Sequence, residues 1–327
     1  RRVAELAVSR ARELGFEPES SERAALLAKC DLLTNMVGEF PELQGTMGYY
    51  YALHDGEPES VALAITEQYQ PRFSGDAVPS SDTGAVLAVA EKLDTICGLF
   101  VIGQPPTGSK DPFALRRAAL GALRILVEKS LDLNLAQAIK QSLASYEAQG
   151  VSVAGETGSQ VFEFMLERFR AWYLGEGVST EVFQAVMELK PERPLDFAMR
   201  VNAVQRFSQL PESAALAAAN KRVSNILQKE KQQQTEVDQA LLSETAEKDL
   251  AQAVAEMRGV VEPLFEKREY TQGLEKLAAM RPVVDAFFDQ VLVMADDDAV
   301  RQNRLALLSE LRALFLKVAD ISSLHRS

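Results

Sequence analysis

Histidine is nearly missing from this chain: 327 residues contain two, His54 and His325. Cysteine is equally scarce. Cys30 and Cys97 lie far apart in apolar helical patterns without a CxxC spacing, which argues against a disulfide framework or a cysteine metal site and predicts two small buried hydrophobes. No run approaches the roughly 20 apolar residues of a membrane span, and the charged start "RRVAELAVSRARELGF" has no apolar core of a signal peptide, so a water-soluble, cytoplasmic chain is expected. Alternating strand patterns and internal repeats are absent as well. The first residue is not Met, and Val3, Leu6, Ala7 and Arg10 already read as the middle of an amphipathic helix, which points to a longer parent protein. Positive charge is in deficit: 35 Lys and Arg stand against 47 Asp and Glu, a net charge of −12.

What remains is 47% apolar residues in a length that suits two domains of ordinary size. Apolar positions recur at three- and four-residue intervals in 24–33, 60–69, 84–100, 113–131 and 161–174, so the chain is predicted to be all-α. Ser20-Ser21 with Glu22 reads as a helix cap, Pro71 and Pro79 as stops, and Ser81-Asp82 as the next start. The stretch "AQGVSVAGETGSQ" lacks both periodicity and a strong cap. The expected division is therefore a helical domain at 1–148, a linker at 149–159 and a second helical domain at 160–327. Residues 235–256, rich in Glu, Gln and Ala, suggest an exposed helix or arm.

His54-Asp55 in "YYALHDGEPESV" raises the question of a metal site. The segment resembles the HD metal-dependent phosphohydrolases, in which a distant His, an adjacent His-Asp pair and a later Asp hold a divalent ion that acidifies a bound water. Asp94 in "AEKLDT" sits where the later Asp belongs, but the upstream His is absent, and only Cys30 or Asp31 could stand in for it. Three ligands at best make a weak site, so no metal is expected. His54, Asp55 and Asp94 are read as a degenerate site in which His54 and Asp55 satisfy each other as buried hydrogen-bonding partners.

The run "IGQPPTGSKDPFALRR" within residues 79–126 resembles the HD-like domain of the β subunit of bacterial heterotetrameric glycyl-tRNA synthetase. "LDFAMRVNAVQRF", "LAAANKRVSNIL" and "FFDQVLVMADDDAVRQNRLALLSELRALFLKVADIS" resemble the DALR-type anticodon-binding domain of the same subunit. The resemblance covers nearly the whole chain and lacks the subunit's N-terminal part. It implies an HD-like helical domain followed by a DALR-type bundle. It also implies tRNA(Gly) and an α subunit as partners, in a heterotetramer of two α and two β subunits, with no DNA and no membrane. ATP, magnesium and glycine would be handled on the α subunit, leaving this chain without a cofactor or catalytic residue. A metal-dependent phosphohydrolase and a helical subunit-joining scaffold are the competing classes.

The spacing of Gly103 and Gly108 suits a phosphate-cradling loop, but Ser109 stands where Lys is needed and no strand precedes it. Pro105 and Pro106 instead suggest a rigid loop, with Asp111 capping the next helix and Pro112 at its first position. Lys110, Arg116 and Arg117 then cluster at the helix start. Between Lys110 and Lys129 there are five basic and two acidic residues, and between Lys190 and Lys231 eight and four. Local positive stripes suffice for phosphate contact on an acidic body. The candidate tRNA contacts are thus Lys110, Arg116 and Arg117 in the first domain, and Arg200, Lys221, Arg222, Asn225, Arg301, Asn303 and Arg304 in the second, Arg and Asn being suited to unpaired bases as well as phosphates. Any of these can instead be a solvated helix face, and Arg301 and Arg304 can instead pair with Asp296, Asp297 and Asp298.

Overall fold

The computed structural model describes residues 1–73, 75–229 and 236–325. Among them the regular elements are helices, and no strand occurs. The chain separates into two compact units: residues 1–172 with 192–195, and residues 173–191 with 196–327. The first unit holds α1 (Arg2–Leu14), α2 (Pro18–Leu27), α3 (Asn35–Glu39), α4 (Thr46–His54), α5 (Glu59–Glu67), α6 (Asp82–Val101), α7 (Leu115–Glu128), α8 (Leu135–Glu147) and most of α9 (Thr157–Gly175). The division falls inside α9, between Trp172 and Tyr173; residues 149–159, the expected linker, join α8 to α9 within the first unit.

Helix α6 organises that unit. Every residue from Gly84 to Ala90 is buried, as are Leu93, Ile96 and Cys97, so the first turns of the helix are apolar around their circumference. A helix of this kind requires neighbours on every side, and α1, α2, α5, α7 and α8 pack against it. Leu6, Ala7 and Ala11 of α1 meet Val86 and Ala90, while Ala24 and Ala28 with Val61 and Ala64 of α5 meet Leu87. The predicted start at Ser81-Asp82 is correct: the Ser81 hydroxyl accepts from the Gly84 N–H at 2.9 Å. Buried Glu67 then accepts from the Ser80 N–H (2.7 Å) and hydroxyl (2.6 Å) and from the Ser81 N–H. A side chain at Gly84 would strike that carboxylate, with its Cβ only 2.0 Å from Oε2, so the residue has to be glycine.

Other starts differ from expectation. Helix α2 begins at Pro18 rather than after Ser21, because Pro favours the first helical position and Glu17 takes the Ser20 hydroxyl at 2.9 Å. The apolar run 24–33 does not stay helical. It breaks after Leu27 into a 3-10 turn at Cys30–Leu33, which turns Asp31 inward and leaves Leu33 exposed.

The second unit contains α10 (Thr180–Met187), most of α11 (Pro194–Phe207), α12 (Ser213–Lys229), α13 (Thr245–Glu266), α14 (Tyr270–Ala278), α15 (Arg281–Gln290) and α16 (Asp298–Leu316). Phe197, Val201, Val204 and Phe207 form the inward stripe of α11 at three- and four-residue spacing. Phe197 packs on Phe183 with ring centroids 5.2 Å apart, and Phe207 lies against Phe315 at 6.3 Å. Thr235 lies outside the described residues; from Thr245 the expected exposed arm is a packed helix, with Ala246, Glu247, Leu250 and Val254 buried.

A buried ion pair ties α13 to α16. Arg304, 5% exposed, donates to Glu247, which is fully buried, as well as to Glu244 at 2.8 Å and the Leu292 carbonyl at 2.6 Å. Glu247 also accepts from the Ser243 N–H at 2.8 Å and the Glu244 N–H at 2.9 Å. Burial alone would raise the Glu247 carboxyl, but the two backbone N–H groups and the Arg304 guanidinium outweigh it, and the net direction is downward. Arg304→Ala leaves this carboxylate buried without its cation and is expected to cost about 3–5 kcal/mol in urea unfolding. Because the folded-state value is lowered, the stabilisation from Glu247 is complete above the ordinary Glu value of 4.5 and is lost as pH falls below it. The gap in urea midpoint between wild type and Glu247→Gln should therefore be widest near neutrality and narrow as the pH falls below 4.5.

Candidate nucleic-acid interface

Helix α12 divides its residues by contact. Leu216, Ala217, Asn220, Val223 and Ser224 are buried, and the helix packs on α15, α16 and the 3-10 turn Ile321–Leu324. The opposite face exposes Lys221, Arg222, Asn225 and Lys229, which share one side of the helix at three-, four- and seven-residue spacings. With Ala218, Ile226 and the exposed His325 they line a recess of about 480 Å³. The Arg222 guanidinium sits 4.6 Å from the centre of the Phe288 ring, a contact that orients it without neutralising it. Among the described residues, none of these cations is paired with a carboxylate. Lys229 and His325 were not anticipated from sequence. Lys229 could have been found from its eight-residue spacing to Lys221; His325 is brought to the recess only by the folding back of the C-terminal turn.

The remaining candidates of the second unit are occupied. Arg200 donates to Asp196 at 2.6 Å, to the carbonyls of Lys317 (2.7 Å) and Val318 (2.9 Å), and to the Tyr270 hydroxyl at 3.0 Å. Arg301 binds Asp298 and the Ala295 carbonyl, as the alternative reading of that residue had it. Arg304 does not pair with Asp296–Asp298; its partners are Glu244 and Glu247. Asn303 is buried, accepting from the Asp238 N–H at 2.7 Å and donating to the Asp238 carbonyl at 3.0 Å. These four side chains hold the unit together and do not join the α12 face.

In the first unit, the glycine- and proline-rich loop closes through paired backbone bonds between Thr107 and Lys110 (3.1 and 2.8 Å), and no strand enters it. Asp111 caps the next helix through the N–H groups of Leu115 (2.8 Å) and Arg116 (3.0 Å). Pro112 is not helical, however, since α7 begins only at Leu115. The Arg116 side chain turns back onto the Gly108 carbonyl at 2.7 Å and is a strut of the loop. Lys110 and Arg117 are exposed, and Arg117 lines a second recess with Arg72, Lys92, Tyr69 and Phe113.

The His-Asp residues do not assemble. His54 ends α4 and Asp55 follows it, both exposed, and neither side chain is hydrogen-bonded among the described residues. The expected buried mutual pair is thus corrected: a helix C-terminus at the surface leaves both side chains in water. Asp94, 7% exposed, binds Arg2 at 2.9 and 3.1 Å, and its backbone carbonyl accepts from the Tyr146 hydroxyl at 2.9 Å. Among the described residues no three His, Cys, Asp or Glu side chains converge as a metal-ligand set. Cys97 is buried as expected, whereas Cys30 is exposed, because the 3-10 turn rotates it outward.

A family model described as glycyl-tRNA synthetase beta subunit matches residues 1–188, and one described as DALR anticodon binding domain matches residues 216–321. The chain is 56% identical over 324 residues to the glycine–tRNA ligase beta subunit of Pseudomonas aeruginosa, covering 99% of this chain and 47% of the relative. To the beta subunits of Marinobacter nauticus and Pasteurella multocida it is 54% and 52% identical, again over 99% of this chain and 46% and 47% of theirs. The chain belongs to the glycyl-tRNA synthetase beta subunit family. It spans about half the length of the curated relatives it matches. Within this beta-subunit sequence the anticodon-binding match includes Lys221, Arg222, Asn225 and Lys229 and stops short of His325. None of its helices, among the described residues, is long and apolar enough to cross a membrane.

Because His54 and Asp55 are exposed and unpartnered, His54→Ala and Asp55→Ala are expected to change unfolding free energy by less than about 0.5 kcal/mol. Asp94→Ala strips Arg2 of its carboxylate and should cost about 1–3 kcal/mol. Urea denaturation of the three variants measures the contrast.

Proposed function

We propose that this chain is the tRNA-handling part of a glycyl-tRNA synthetase beta subunit, with the exposed face of α12 gripping the anticodon arm of tRNA(Gly). The observation that carries the reading is the concentration at Lys221, Arg222, Asn225 and Lys229 of donors with no carboxylate partner among the described residues, on a chain of net charge −12. Cations left unpaired in an acidic protein are available to phosphates, and binding depends on charge at the interface rather than on the total. Asn225 offers both a donor and an acceptor to an unpaired base edge. Lys110 and Arg117 form a secondary set in the first unit. Glycine activation with ATP and magnesium belongs to an α subunit, in a cytoplasmic heterotetramer of two α and two β chains, so this chain supplies binding and no reacting group or cofactor.

A salt titration of tRNA(Gly) binding tests the assignment. Replacing Lys221 and Arg222 with Ala should weaken binding and flatten the salt dependence by a slope of about one for each phosphate contact removed. Asn225→Ala should act differently: losing a base-edge contact worth about 1–3 kcal/mol of discrimination narrows the gap between cognate and anticodon-altered tRNA more than it lowers affinity. Unchanged affinity and slope in the double variant, with circular dichroism intact, would remove α12 from the interface. The chain alone, freed of host synthetase, should form no glycyl adenylate; adenylate formation would overturn the division of roles.

A further inference from the structure

Among the cations of the α12 face, Arg222 has its plane fixed. Its guanidinium lies over the Phe288 ring at 4.6 Å. Phe288 is in turn braced edge-on by the fully buried Phe287, with ring centroids 5.6 Å apart. A guanidinium stacked in this way gives one flat side to the aromatic ring and keeps the other for a ligand. Arg222 is exposed and lines the recess, so it is reached from solvent.

Its neighbours on the recess wall are not those of a phosphate clamp. Ala218 and Ile226 lie one turn to either side of it, and both are partly buried. Asn225 lies on the same side, three residues on. A flat cation between two apolar side chains, with an amide beside it, matches the face and edge of a nucleobase, whereas a phosphate is poorly solvated against apolar groups. Lys221 and Lys229 are of the other kind, flexible and strongly hydrated point charges suited to phosphate.

We infer that Arg222 contacts a base and not a phosphate: its guanidinium, backed by Phe288, stacks on an unpaired base of the RNA and leaves the phosphates to Lys221 and Lys229, given that the α12 face is the surface for the anticodon arm.

The test uses the full chain and tRNA(Gly) in which each anticodon-loop nucleotide in turn is made abasic, so that the base is lost and its phosphate stays. For wild type, one such position should weaken binding at least about fivefold, the low end of what stacking on a base is worth, with the slope of the salt dependence unchanged. Arg222→Lys keeps the charge and removes the plane. It should bind intact tRNA at least about fivefold more weakly than wild type at an unchanged slope, and the abasic position should cost it nothing further. Lys221→Ala removes a charge and no plane, so it should weaken binding and flatten the slope. Wild type indifferent to every abasic position would overturn the inference without any variant. So would an Arg222→Lys variant that binds intact tRNA as tightly as wild type, or one that keeps the abasic penalty. If Lys221→Ala lowers the slope while Arg222→Lys changes nothing, α12 remains the interface and only the stacking fails. If neither changes binding, α12 is not the interface and the stacking goes with it.

Discussion

Residues 84–90 of helix α6 have no face to give to water, and the first unit is built around that constraint. Small residues let neighbours approach from all sides, and the two charged residues carried into the interior must find partners there. The Lys92 ammonium donates to the carbonyls of Gln68 (3.0 Å) and Gln70 (2.8 Å), while burial pushes it down to about 8. Asp94 takes the guanidinium of Arg2, whose planar fork spans both carboxylate oxygens. The residue that the HD pattern would assign to a metal is thereby spent on holding α1 against α6. A carboxylate can serve the helix packing or a metal centre, and here the packing has it.

The second unit follows the same rule with other residues. Asp196 and Glu247 are buried acids, and each draws an arginine inward: Arg200 for the first, Arg304 for the second. An arginine so held has its fork satisfied by oxygens of its own chain and nothing left for a phosphate. The cations of α12 escape because the residues that their helix buries against α15 and α16 carry no charge, and Arg222, which does reach α15, meets the Phe288 ring there and not a carboxylate.

Surface charge is uneven as a result. The exposed positive face of α12 belongs to a chain of net charge −12, and concentrated cations on an acidic chain favour local over diffuse contact with a polyanion. A cavity beside Asp31 in the first unit has the opposite character, acidic and partly apolar.

The sequence by itself determined the helical class, the start of α6 at Ser81, the capping by Asp111 and the family, because helical periodicity, caps and long motifs are local in the chain. It also offered Lys221, Arg222 and Asn225, on one helix, among ten candidate contacts. Only the tertiary structure decided which charges are free. Arg222 and Arg304 look alike in sequence, yet one lies over Phe288 in water and the other is buried between Glu244 and Glu247. His54-Asp55 read as buried and proved exposed, Cys30 likewise, and His325 reached a site that no nearby residue announces. Burial and pairing are set by residues distant in the chain, and local spacing carries no record of them.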